Sequence, residues 1–249
     1  SGTCEHNHSA EGWVDARCRE VLERLAPALA EALRPYGLRA LLLGGSAALG
    51  EAVGWAGPDP ERWMLSDLDL TAITRDVVPL AAANRIHAWL SEQAPARPGP
   101  SVTLGLVPFA HCPFTPPTPG MVDLAHSARL LLGEERSWRA FPRIQPHRIP
   151  RWEALRLTGN RALELLRATL NRQEHPGDRS FEIREQHALA KAATGLFTAS
   201  LILDGAYATG WRERAVRLWG PNPSGPAEVV RLARAWDSFL RAPAEETRP

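Results

Sequence analysis

The sequence of 249 residues contains no long apolar run. No stretch approaches the roughly 18 consecutive apolar residues of a membrane-spanning helix, so no membrane span is expected. The first twelve residues are polar and lack the apolar core of a secretory signal. We therefore expect residues 1–12 to form a disordered tail. The net charge of +1 excludes a protein that binds polyanions over its whole surface.

Cysteine and lysine are both scarce. The three cysteines, Cys4, Cys18 and Cys112, are odd in number and show no C-x-x-C spacing. This argues against a disulfide framework and predicts a cytoplasmic protein. The 29 basic residues include one lysine, Lys191, in an arginine-rich background. Lys191 stands out against that background, although chance survival is also a reasonable explanation.

The strongest local pattern lies between Leu41 and Leu70. An apolar run starting at Leu41 predicts the end of a buried strand. Gly44-Gly45-Ser46 then interrupts the run just before a short helical segment. Backbone N–H groups at such a turn suit a phosphate. Gly44, Gly45 and Ser46 are therefore candidate nucleotide-binding residues.

A second motif, Asp67-Leu68-Asp69-Leu70, alternates polar and apolar residues. On a strand this period places Asp67 and Asp69 on one face and the two leucines on the other. Neighbouring carboxylates repel each other unless a cation lies between them, and Mg²⁺ prefers such oxygen ligands. A phosphate-binding turn beside a carboxylate pair is typical of metal-assisted phosphoryl or nucleotidyl transfer.

The order of these motifs resembles the nucleotidyltransferase superfamily typified by DNA polymerase β. Its signature is a strand, a Gly-Ser turn that opens a helix, an Asp-x-Asp strand and a third carboxylate on a later strand. The resemblance covers residues 38–132, and Asp123 is the candidate third carboxylate. The alternative interpretation of Asp123 is a helix N-cap. The segment between Ser46 and Asp67 is longer than is usual in the superfamily, with residues 54–60 as the apparent insertion.

The segments in order predict an α+β fold. A small mixed β-sheet nucleotidyltransferase domain flanked by helices should occupy residues 13–140, and an all-helical domain should occupy residues 150–243. In the first domain we expect strands at 38–43, 67–73, 101–107 and 121–124, with helices at 13–34, 78–90 and 127–132. In the second we expect helices at 152–170, 181–203, 211–219 and 227–240.

The resemblance implies a metal-dependent, ATP-binding nucleotidyltransferase. Such an enzyme moves a nucleoside monophosphate from an NTP to a small-molecule or metabolite acceptor and releases pyrophosphate. It would use two Mg²⁺ ions, with Mn²⁺ as an alternative. Asp67 and Asp69 would bind both ions, and Asp123 would share the second. In this superfamily a lysine and a tyrosine of the helical domain reach the triphosphate, and Lys191 and Tyr207 match them by position.

Two other functions stay open at this stage. The first is a tRNA- or protein-modifying nucleotidyltransferase of the toxin–antitoxin type, which the density of arginine over residues 129–184 favours. Salt-dependent binding of tRNA would distinguish it. The second is a non-catalytic nucleotide-binding module of the same fold, for which the absence of Mg²⁺ binding would argue.

Overall fold

The computed structural model describes residues 8–56, 62–93 and 100–219. Within these residues the chain divides into two compact units. The first comprises residues 8–116 and 123–143, and the second comprises residues 117–122 and 144–219. In the described part of the chain, no helix has both the length and the apolar character needed to cross a bilayer.

The first unit contains a four-stranded sheet with helices around it. Its elements in chain order are α1 (His8–Leu33), β1 (Leu38–Gly44), α2 (Gly45–Leu49), β2 (Gly54–Ala56), β3 (Arg62–Met64), β4 (Leu68–Thr74), α3 (Leu80–Gln93), β5 (Val102–Pro108), the part of α4 (Pro119–Ser127) from residue 123 onward, β6 (Arg129–Gly133) and α5 (Glu135–Trp138). The strand order is β5-β4-β1-β6. β4 and β5 are parallel, whereas β1 is antiparallel to both of its neighbours. The predicted α+β class with a mixed sheet is confirmed.

The core of this unit lies between the sheet and α1. The strand β1 is apolar along most of its length, and Leu41 to Leu43 are buried. Leu25, Leu29 and Leu33 recur at helical spacing on α1 and are also buried. Burial of each leucine contributes about 1.5–3 kcal/mol relative to exposure. The helix begins at His8, within residues 1–12, and residues 1–7 lie outside the described part.

The first residues of the apparent insertion form one strand of a β-hairpin. Residues 54–56 form β2, which pairs antiparallel with β3 so that Trp55 lies opposite Trp63. Residues 57–61 lie outside the described part of the chain. The hairpin is a separate two-stranded sheet between the glycine turn and β4.

Two predicted elements near Asp123 are wrong. Residues 121–124, predicted to be a strand, lie in helix α4. Most of residues 127–132, predicted to be a helix, lie in strand β6. Pro119 begins α4, and the Thr118 hydroxyl accepts the N–H of Met121 at 3.3 Å, as an N-cap does. Four residues are too few to separate a strand from a helix turn.

The second unit is helical. It contains α6 (Trp152–Glu174), α7 (Arg179–Leu203) and α8 (Trp211–Trp219). Arg172 near the end of α6 pairs with Glu185 near the start of α7 at 2.6 Å, so the two helices run antiparallel. Tyr207 and Ile202 form a buried core with Ile149. The predicted helix at 227–240 lies outside the described residues.

Candidate active site

The sheet brings the two sequence motifs together. β1 and β4 are antiparallel neighbours, and their register pairs Gly44 with Asp69. Gly45 follows β1 with φ +63°, in the left-handed region that favours glycine. A Cβ at Gly45 would overlap Oδ2 of Asp69. The Asp69 carboxylate therefore lies directly against the Gly-Gly-Ser turn.

The alternation predicted for Asp67 to Leu70 is confirmed. Leu68 and Leu70 are 0% and 2% exposed, so both leucines belong to the core. Asp69 is exposed and Asp67 is half-buried on the opposite face. The period of the strand thus presents two carboxylates side by side at the edge where β4 begins.

The turn itself has polar groups available for a ligand. Gly44 precedes α2 in an extended conformation, and no side chain caps the first N–H groups of this helix. Within the described part of the chain, the Ser46 hydroxyl has no hydrogen-bond partner. Since α2 has only five residues, its dipole is small. The backbone N–H groups and the Ser46 hydroxyl are therefore the groups that could hold a phosphate.

Two hydroxyl groups that sequence reasoning missed lie next to the carboxylates. The parallel register of β4 and β5 places Thr103 beside Asp69, and the Thr103 Oγ1 donates to Asp69 Oδ1 at 2.8 Å. Two residues earlier, the Ser101 Oγ donates to Asp67 Oδ1. The signal was present in the sequence, because Ser101 and Thr103 repeat the period of the two aspartates.

The third candidate carboxylate lies on a helix, whereas the pair lies at the start of strand β4. Asp123 lies on α4, where its backbone carbonyl accepts the hydroxyl of Ser127 at 2.6 Å. The next residue, Leu124, approaches the turn, since a Cβ at Gly44 would lie 3.4 Å from Leu124 Cδ1. Among the described residues, no three His, Cys, Asp or Glu side chains form a group that could hold a metal.

Lys191 lies in the second unit on α7. Its Nζ is 3.4 Å from Oε1 of Glu164 on α6, and the Lys191 side chain is 24% exposed. Arg161 also pairs with Glu164, at 2.5 Å. Burial opposes ionisation of Glu164, but the charges of Lys191 and Arg161 outweigh it and lower the pKa of this carboxyl. Lys191 therefore contributes to an ion-paired contact between two helices.

Tyr207 also lies in the second unit, and it is fully buried. Its hydroxyl donates to the carbonyl of Pro119 at 3.4 Å and accepts a hydrogen bond from Arg214. The Arg214 guanidinium carbon lies 4.5 Å from the centre of the tyrosine ring. These contacts make Tyr207 part of the packing of its unit.

The chemistry of the site fits a hard divalent cation. Mg²⁺ is commonly bound by one or two carboxylates together with waters and substrate phosphate oxygens. Asp67 and Asp69 supply two carboxylates on one face, and Asp69 Oδ2 points to the turn. In the described part of the chain, no basic side chain pairs with Asp69. The residues present therefore fit one Mg²⁺ that arrives with a polyphosphate.

The first unit is an α+β structure in which the Gly-Gly-Ser turn lies beside the Asp-x-Asp strand of a mixed sheet, and a helical region follows it in the chain. Among solved structures, the chain is similar to spectinomycin adenyltransferase AAD(9) from Enterococcus faecialis, a structure with ATP and spectinomycin. The TM-score is 0.53 at 12% identity, and the match covers 92% of each chain. A likeness at this identity establishes the fold alone. No protein-family model and no curated protein matches the sequence.

Proposed function

We propose that the chain is a metal-dependent nucleotidyltransferase that transfers a nucleoside monophosphate from ATP to a small-molecule acceptor. The observation that carries this proposal is the position of Asp69 against the Gly45 turn, which joins a carboxylate pair to a phosphate-binding backbone. The ATP and spectinomycin in the AAD(9) structure support the choice of donor and of acceptor class.

Asp67 and Asp69 would hold Mg²⁺ at the triphosphate. The ion would neutralise charge on the phosphates and favour in-line attack on the α-phosphorus. The two carboxylates would orient this ion because Asp69 lies in β4, which the sheet fixes on both sides, and Asp67 directly precedes this strand. A second ion shared with Asp123, and replacement by Mn²⁺, stay predictions, which the stoichiometry of Mn²⁺ binding would test.

The turn would hold the pyrophosphate part of the nucleotide. The backbone N–H groups after Gly44 and the Ser46 hydroxyl would donate to phosphate oxygens, which are strong acceptors. The left-handed conformation of Gly45 leaves no side chain between this backbone and Asp69. Phosphate and metal ligands would therefore lie close enough to act on the same triphosphate.

The charges of the described residues favour a small acceptor over RNA. Many arginines between residues 129 and 184 are already paired with glutamates, so they present less free positive charge to a phosphate backbone. The pairs are Arg136 with Glu134, Arg139 with Glu135, Arg156 with Glu153, Arg161 with Glu164 and Arg172 with Glu185.

The test is pyrophosphate release with each of the four NTPs, Mg²⁺ and a panel of acceptors that begins with spectinomycin. The variants Asp67→Asn and Asp69→Asn keep the shape of the side chains and remove their charges. We expect each to lower kcat/KM by about 10³, the equivalent of about 4 kcal/mol of transition-state stabilisation. Asp76→Asn is the matched control, because Asp76 is an exposed carboxylate just beyond β4 that pairs with Arg75.

Equal activity of the Asp69→Asn and Asp76→Asn variants would overturn the proposal. Transfer of label from α-labelled ATP to tRNA, with no small molecule accepted, would contradict the acceptor part alone. Binding of MgATP without turnover on any acceptor would favour the non-catalytic module.

A further inference from the structure

We propose that Ser101 and Thr103 are positioning residues of the carboxylate pair, with their hydroxyls fixing Asp67 and Asp69 for a divalent cation. This inference rests on the proposed function and deepens it. It concerns β5, the strand parallel to β4, which no sequence motif marked. The two hydroxyls lie on the β5 side of the site, next to the two aspartates.

The geometry assigns each hydroxyl to one carboxylate. Thr103 Oγ1 donates to Oδ1 of Asp69 at 2.8 Å, and Ser101 Oγ donates to Oδ1 of Asp67. The backbone reinforces this register, because the Leu68 N–H donates to the Ser101 carbonyl at 2.8 Å. A hydroxyl that donates to an ionised carboxylate restricts its rotation about the Cβ–Cγ bond. Both aspartates are thus oriented by neighbouring residues at the start of β5, since Ser101 directly precedes this strand and Thr103 lies in it.

The orientation has a direction for Asp69. With Oδ1 bonded to Thr103, the other oxygen, Oδ2, lies against Gly45. The oxygen on the side of the turn is therefore the one presented to a cation that also contacts phosphate. Removal of the Thr103 hydroxyl would let the carboxylate rotate. Cation binding would then have to fix the carboxylate, and the entropy cost of doing so would weaken the binding. Partners that orient metal ligands commonly change metal affinity by 10- to 100-fold.

The inference also bears on the third carboxylate. The superfamily resemblance leads us to expect that carboxylate on a strand after the Asp-x-Asp strand. In this chain the strand adjacent to β4 presents Ser101 and Thr103 to the two aspartates instead. Hydroxyl groups can orient a carboxylate but add no negative charge. This face of the site therefore holds two carboxylates and two hydroxyl donors, and a further carboxylate for a second cation would have to come from another element.

The test is the binding of Mn²⁺, measured from the electron paramagnetic resonance signal of free Mn²⁺ with and without ATP. Thr103→Val keeps the shape of the side chain and removes the hydroxyl, and Ser101→Ala does the same at its site. We expect each to weaken Mn²⁺ binding about tenfold, and Thr103→Ser to restore it. Thr71→Val is the matched control, since Thr71 follows Asp69 on the same face of β4 and bonds to neither aspartate. It should bind Mn²⁺ as the wild type does.

Kinetics would separate positioning from catalysis. We expect Thr103→Val to raise the Mg²⁺ concentration for half-maximal activity about tenfold and to leave kcat at saturating Mg²⁺ nearly unchanged. Thr103→Val and Thr71→Val variants with the same Mn²⁺ affinity would overturn the inference and leave the proposed function standing. If every variant, including Asp67→Asn and Asp69→Asn, binds Mn²⁺ as the wild type does, both the inference and the proposed function are overturned.

Discussion

Substitution of one glycine in the turn tests the contact between the turn and Asp69. A Gly45→Ala change forces alanine into the left-handed region, which costs about 1–2 kcal/mol of folding free energy. Its Cβ would also overlap Asp69 Oδ2 and lie 3.3 Å from Asp69 Cγ. Because this carboxylate ends a flexible side chain, it would rotate away rather than break the turn. The rotation would break the hydrogen bond from Thr103, which lowers the stability by about 1 kcal/mol.

Gly50→Ala is the matched control for this experiment. Gly50 ends the same short helix with φ +67°, yet no atom lies within 4 Å of the position of its added Cβ. Both variants should therefore lose similar stability, within about 1 kcal/mol, in urea denaturation. Only Gly45→Ala should also weaken Mn²⁺ binding, by about tenfold. Equal Mn²⁺ affinity in the two variants would refute the reasoning that places Asp69 against the turn.

Four further predictions follow from other residues. If Asp123 shares a second ion, Asp123→Asn should lower the stoichiometry of bound Mn²⁺ with ATP by one, as measured by equilibrium dialysis. Tyr207→Phe removes a buried hydroxyl with two partners, so the free energy of unfolding should fall by about 1–3 kcal/mol in urea titrations. Lys191→Met should raise the KM for ATP if the lysine reaches the triphosphate, and an unchanged KM would restrict it to its pairing with Glu164. Burial raises the pKa of the Cys18 and Cys112 thiols from 9.0 to about 11. Because the unfolded thiols ionise first, stability should fall between pH 9 and pH 11, and serine variants should reduce this loss in pH-dependent unfolding.

The first half of the site could be predicted from the sequence because its signals are local. The apolar run before Gly44 and the alternation from Asp67 to Leu70 each define a strand on their own. Burial of Leu68 and Leu70 then fixes the face on which the aspartates lie. The pairing of β1 with β4 can be predicted from the hypothesis that both motifs belong to one site.

The remaining half depends on contacts that no local pattern encodes. The Ser101 and Thr103 hydroxyls meet the aspartates through the parallel pairing of β4 with β5, which joins residues 34 positions apart. The segment around Asp123 was too short and too evenly mixed for its period to be read, so a strand and a helix were exchanged there. The burial of Tyr207 is a further example, because it comes from packing within the second unit that its position in the sequence does not encode.

The central claim is that Asp67 and Asp69 bind the metal–nucleotide complex beside the Gly45 turn. Its most direct test is the melting temperature with ATP, with and without Mg²⁺, of the wild type and of the double variant Asp67→Asn/Asp69→Asn. At an ATP concentration of about 100 times Kd, binding adds about 2.7 kcal/mol to stability, which corresponds to roughly 5–10 °C for a chain of this size. We predict this rise for the wild type only when Mg²⁺ is present, and its loss in the double variant. An equal, Mg²⁺-dependent rise in both proteins would contradict the account.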